Sequence, residues 1–422
     1  MEVKPGYKQT EVGVIPEEWD AKPLGSVLIK GRLGGNYANQ DAESDLPLMK
    51  MGNLARGRMD LSKVQFIKPG VLPENAHRLV YGDVLFNTRN TLDLVGKVAI
   101  WRNELPVAYY NSNLMRLEFD VGQVCSNEYA NYSLNTEGAV SRLRALATGT
   151  TSVAAIYTRD LMKLQILVPP PSEQRIIATA LNDVDGLLGG LDRLILKKRD
   201  LRQAAMQQLL TGQTRLPGFQ GKWEVKMLGE LGSTYGGLTG KSKTDFGEGS
   251  ARYITFMNVM SNVVIDCEAF ERVHVSPTES QNRAIKGDLL FNGSSETPEE
   301  VAMCAVLLNE VSDVYLNSFC FGFRFLDGVQ ADGLFLAYHF RSREGRELMK
   351  SLAQGSTRYN VSKVALLKSP LRLPELPEQT AIAEVLSEMD LELAALEQRR
   401  EKALALKQAL MQELLSGRTR LV

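Results

Sequence analysis

The chain has 422 residues, 44% hydrophobic and 23% charged, with a formal net charge of −1. These values suit an ordinary globular protein of two or three domains and supply no global electrostatic argument for a polyanionic partner. No stretch approaches the roughly eighteen uninterrupted apolar residues of a membrane span, and the opening MEVKPGYKQTEVGVIPEEWD lacks the apolar core of a secretory signal, so a cytoplasmic chain is expected.

Cys125, Cys267, Cys304 and Cys320 are scattered without paired spacing, and His77, His274 and His339 are equally isolated. Neither a metal centre nor a disulfide framework is expected from them; small buried hydrophobes and ordinary histidines are.

In chain order, residues 15 to 165 read as a mixed α/β segment. VLFN, VGKVAIW and LMRLEF have the composition of short strands, and EYANYSLNTEGAVSRLRAL reads as one late helix. The run VPPPSEQ, from Val168 to Gln174, then opens a long helix, read as Glu173 to Thr211 and roughly 58 Å long at about 1.5 Å per residue. Ile177, Val184 and Leu191 step by seven, as do Leu181, Leu188 and Ile195, which is a heptad seam. Glu173 suits the positive helix start, and Gly212 the stop.

Residues 219 to 370 repeat the pattern. YITFMNV, VAMCAVLL and FGFRFL read as strands, and GLFLAYHFRSREGRELMKSLA as a late helix. A second long helix follows, with Ile382, Met389 and Leu396 on one half of its seam and Leu386 and Leu393 on the other, and Gly417 as its stop. Within this half, GGLTGKS (Gly236 to Ser242) ends like a nucleotide phosphate loop. That loop needs a glycine where Tyr235 stands, and must open a helix, whereas KTDFGEGSARYITFMNV reads as loop then strand. ATP binding is therefore not expected.

The repetition is literal. Glu173 and Glu378, Asp185 and Asp390, Met206 and Met411, and Arg215 and Arg420 are each 205 positions apart, as are GDVLFN from Gly82 and GDLLFN from Gly287. The chain is a tandem duplication. It divides into residues 1–165 and 218–370 as globular domains, with 166–217 and 371–422 as helical spacers. The expected fold is α+β, a duplicated mixed domain plus a long helix, the two helices packing as a coiled coil. Lys198, Arg202, Arg400 and Lys407 interrupt the seam, so packing is expected to shift to the face of Leu201, Leu404 and Leu406. From the residues alone, a recognition protein and a protein-binding adaptor on a coiled-coil spacer both remain open.

GYKQTEVGVIPEEWDAKPLG, GDVLFNT, PPPSEQRIIATAL and MQQLLTGQTRLPGF, in that order and with their echoes, resemble the specificity subunits of type I restriction-modification systems. The resemblance implies two target-recognition domains, each reading half of a bipartite DNA site, held apart by antiparallel helices. It implies two methyltransferase subunits docked on those helices, restriction subunits beyond them, and methylation of adenine N6. S-adenosylmethionine, ATP and Mg would belong to those partners. The chain itself carries no Asn/Asp-Pro-Pro-aromatic loop for a flipped base and no catalytic triad or carboxylate pair, so it is expected to be non-catalytic.

Base reading needs cations and amide or hydroxyl side chains on exposed loops. In the first domain the candidates are Arg56, Arg58, Asn87, Thr88, Arg89, Asn90, Thr91, Thr150 and Thr151. In the second they are Lys241, Lys243, Asn292, Ser294, Ser295, Ser356, Thr357, Arg358 and Tyr359.

Overall fold

The computed structural model describes residues 4–421 and divides into two compact units. One comprises the residues up to Asp192 and those from Arg399 onward; the other runs from Arg193 to Gln398. Both unit boundaries fall inside a long helix, so each unit owns part of Pro171–Leu209 and part of Leu376–Leu414. No helix among the described residues is long and apolar enough to cross a membrane.

In the first unit an antiparallel sheet runs in the order Val98–Ile100, Val84–Asn87, Leu114–Phe119, Leu28–Leu33. Its apolar residues meet Ala130, Leu134 and Leu143 in a core beneath two short helices, Asn127–Leu134 and Glu137–Ala145. The single late helix expected here is broken. The Thr136 hydroxyl accepts the N–H of Ala139 and starts a new helix, which a helical periodicity running through both segments conceals.

The second unit repeats this order with Cys304–Val306, Leu289–Asn292, Cys320–Phe325 and Gly232–Gly236. Its late helix is also two, Gly333–Arg341 and Arg343–Ser351, with Ser342 as the cap between them. YITFMNV is only half a strand. Thr255 accepts the N–H of Asn258, so the strand Phe246–Ile254 gives way to the helix Phe256–Ser261.

Within each unit the helix segments run antiparallel. In the first, Ile177 and Leu181 share a core with Leu414 and Leu415. In the second, Met206 and Leu209 share one with Ile382 and Leu386. Leu191 and Leu393 are buried, while Val184, Leu188, Met389 and Leu396 are half-buried. The first long helix starts two residues earlier than expected, because Pro171 lacks only an N–H that a first turn leaves unused.

The expected change of packing face does not occur. Leu201, Leu404 and Leu406 are exposed, and the basic seam residues stay inward by pairing with carboxylates. Lys407 meets Asp185 at 2.7 Å and Arg400 meets Asp192 in the first unit. Lys198 meets Glu392 at 2.7 Å and Arg202 meets Asp390 in the second. Tyr132 donates to Asp185 and Tyr338 to Asp390, so the same Tyr–Asp–cation cluster is built in each unit. A heptad count scores these positions as defects because it ignores the partner's charge.

Candidate nucleic-acid interface

Two of the three loops singled out in each half converge inside its unit, whereas Arg58 lies on a separate hairpin and Lys241 and Lys243 lie outside the sheet so formed. In the first, Arg89–Asn90 pairs with Ala154–Ala155, which pairs with Thr148–Gly149, making a three-stranded sheet. In the second, Ser294–Ser295, Tyr359–Val361 and Ala353–Gln354 do the same. Each sheet carries a hairpin whose tip holds Thr150 and Thr151, or Ser356, Thr357 and Arg358, all exposed.

Glycine is required where each hairpin turns. Gly149 has φ +130° and Gly355 φ +123°, and a Cβ would stand 2.3 Å from the Val153 carbonyl oxygen or 2.1 Å from that of Arg358. Two matched glycines thus hold two tips of different sequence.

The strand leading into the loop is anchored by an ion pair, half-buried in the first unit and built on a buried carboxylate in the second. Asp83 meets Arg116 at 3.2 Å, and Asp288 meets Arg324 at 2.7 Å. Burial raises the Asp83 carboxyl above its ordinary range, although the Val80 N–H and the Arg116 charge pull it down.

Not every candidate side chain is free to reach a ligand. Asn87 is fully buried, and its side chain accepts the Arg89 N–H at 3.2 Å. Asn292, also fully buried, donates to the carbonyls of Ser294 and Glu300 and accepts the N–H of Met303. These asparagines shape the loop from within. Ser294 and Ser295 are buried, the latter against Glu300. The Thr88 hydroxyl donates to the Asn113 carbonyl, and the Asn90 side chain accepts the Thr91 N–H.

The cations sort in the same way. Arg89, Arg58 and Lys243 are exposed. Arg56 is half-buried, and burial, then the charge of Arg144, lower its pKa. Lys241 is taken up: its side chain is 4% exposed and donates to the His274 carbonyl and to Glu279. Glu279 is held at about 2, chiefly by that hydrogen bond.

The phosphate-loop letters therefore have an internal explanation. A Cβ on Gly237 would lie 2.1 Å from the Asn317 carbonyl oxygen, and one on Gly34 would lie 2.2 Å from that of Tyr110. Each Gly-Gly pair lets the backbone close on the neighbouring turn. Lys243–Asp245 forms only a single short turn before the strand Phe246–Ile254, so no helix N-terminus faces a phosphate.

Two exposed aromatic residues near these sheets escaped the sequence reading, Tyr157 and Phe319. The available signal was divergence. Asn111-Ser112 and Asn317-Ser318 match at a spacing of 206, and the next residue changes from Asn113 to Phe319.

The structure is a duplicated α+β frame that presents two matched but differently furnished loop clusters. Residues 220–406 match the family model described as type I restriction modification DNA specificity domain. The chain is 24% identical to the type I restriction enzyme MjaX specificity subunit of Methanocaldococcus jannaschii, covering 98% of this chain and 96% of that protein. It is 20% identical to the MjaVIII specificity subunit of the same organism, covering 96% and 94%. Its fold is similar to a solved structure of the S subunit of a type I restriction-modification system from M. genitalium, with a TM-score of 0.58 at 15% identity over 98% of each chain. Residues 220–406 thus carry a type I restriction modification DNA specificity domain, and the chain along nearly its whole length is similar to type I restriction enzyme specificity subunits.

Proposed function

We propose that each unit reads one half of a bipartite duplex DNA site through its three-stranded sheet and the adjoining loops. One observation carries this reading: the two units repeat the same backbone frame, down to Gly149 and Gly355, while the exposed side chains on it differ. A frame kept constant under changing contact residues is what two readers of different half-sites need. Arg89, Thr91, Thr150 and Thr151 are the contact candidates in the first unit; Lys243, Ser356, Thr357 and Arg358 are those in the second.

The helix segments of each unit keep exposed apolar residues of their own. Leu187, Leu194, Leu196 and Leu201 on the first helix are exposed, as are Leu391, Leu404 and Leu406 on the second. Methyltransferase subunits dock there in this reading and bring S-adenosylmethionine, while restriction subunits bring ATP and Mg; the complex methylates adenine and works in the cytoplasm. Because the chain's net charge is −1, the isolated subunit binds DNA weakly and its partners supply much of the cationic surface.

The test is duplex binding by the complex with its methyltransferase partner across a salt series, followed by mapping of modified adenines. Steeply salt-dependent binding and one bipartite motif are expected. A complex that assembles but shows no salt-dependent DNA binding would identify the chain as a protein adaptor instead.

A further inference from the structure

The two units build one turn alike and then place different side chains on it. In the first, Asn111 accepts the N–H of Asn113 at 3.3 Å, and the Asn113 carbonyl accepts the N–H of Thr88 at 3.0 Å. In the second, Asn317 accepts the N–H of Phe319 at 2.9 Å, and the Phe319 carbonyl accepts that of Gly293 at 2.7 Å. Thr88 and Gly293 immediately precede the paired strands Arg89–Asn90 and Ser294–Ser295. Phe319 therefore stands where the first unit has a polar amide.

Phe319 is 56% exposed, and the Arg358 guanidinium lies over its ring, 5.3 Å from the centroid. Arg358 comes from the hairpin tip and has no hydrogen-bond or ion-pair partner for its guanidinium among the described residues. Two residues on from Phe319, the buried Phe321 ring has the Lys363 ammonium 5.4 Å from its centroid. A single exposed apolar side chain is unremarkable in itself. An aromatic ring at the root of the recognition loop, beneath an unpaired cation, has the chemistry that bases and phosphates call for together.

We propose that Phe319 is a wedge that stacks into a base step of the duplex half-site read by the second unit, with Arg358 passing to the adjacent phosphate. The step is of the pyrimidine–purine kind, which unstacks at least cost. The first unit, with Asn113 at the matched place, has no wedge there and leaves its half-site stacked at the corresponding step. Phe319 is then a specificity determinant that acts through deformability rather than base-edge hydrogen bonds. This inference rests on the DNA-reading function proposed above.

The test uses the full chain in complex with its methyltransferase subunits, on duplexes carrying 2-aminopurine at each position of the mapped second half-site in turn. Wild-type complex is expected to raise emission at one step that is not the methylation target. Phe319→Ala and Phe319→Asn abolish that rise and weaken binding about tenfold, while Phe319→Tyr keeps both. The separate rise from the base extruded for methylation persists in all three variants and reports correct docking. Retention of the step-specific rise and of affinity in Phe319→Ala overturns the wedge and leaves DNA reading intact. An equal loss of signal at every position also overturns it, and a complex that binds no duplex overturns both proposals.

Discussion

The Arg420 guanidinium donates to the buried carboxylate of Glu173 at 2.9 Å, across 247 residues of chain. The indole N–H of the fully buried Trp19 meets the same carboxylate, also at 2.9 Å. The C-terminal segment thus locks the start of the first long helix, and the second unit repeats the lock with Arg215 and Glu378.

Removing one partner should be costly. Arg420→Ala leaves Glu173 charged, buried and held only by Trp19, and is expected to destabilise the first unit by about 3 kcal/mol. Hydrogen exchange should show protection falling around Trp19 and residues 171–181 and unchanged around Glu378. A uniform loss over both units would contradict a local lock.

The inward cations of the helix seam should behave as coupled pairs. Arg202→Met and Asp390→Asn are each expected to cost about 1 kcal/mol, and the double variant less than their sum, because both side chains are about one-third exposed and screening limits the pair. Chemical denaturation of the four proteins measures the coupling, and higher salt should shrink it. Strict additivity would mean that the pair does not contribute to helix packing.

His339 gives the second unit a pH dependence. Burial holds its folded-state pKa down at about 4, against an ordinary value of 6.5. The unfolded chain therefore takes up a proton at a pH where the fold refuses one, so stability is complete above about 6.5 and is lost as pH falls toward 4. The loss approaches 3 kcal/mol by order of magnitude. Urea titrations at a series of pH values should show a shallower dependence in His339→Leu; an identical slope would exclude His339 as the source.

Arg89 is exposed and the Thr91 hydroxyl has no partner among the described residues, and both lie at the three-stranded sheet of the first unit. Replacing both with alanine should weaken or relax recognition at one half-site only, by about tenfold or more. Competition between duplexes altered in one half or the other checks this. Equal loss at both halves would show that the loop supports the complex rather than reads a base.

Much of the architecture was legible without coordinates because its signals are local or self-repeating. The heptads from Ile177 and Ile382, the shared spacing of 205 and the Gly212 and Gly417 stops need only neighbouring residues or a second copy for comparison. Both glycines adopt φ +72°, as a helix stop requires. The short breaks at Thr136 and Ser342 were missed because a capping hydroxyl interrupts a helix without interrupting its apolar period.

The tertiary structure alone decided which polar side chains face solvent and which serve the fold. Composition cannot distinguish Arg89, which is exposed, from Lys241, whose charge is spent on Glu279, or Thr151 at a hairpin tip from Asn292 inside a loop. Nor could it show that Lys407 belongs with Asp185 and Arg420 with Glu173, because those pairings depend on an antiparallel return over some two hundred residues. Periodicity records what a segment does with its neighbours; a charge finds its partner, and an exposed ring such as Phe319 its setting, only when distant segments meet.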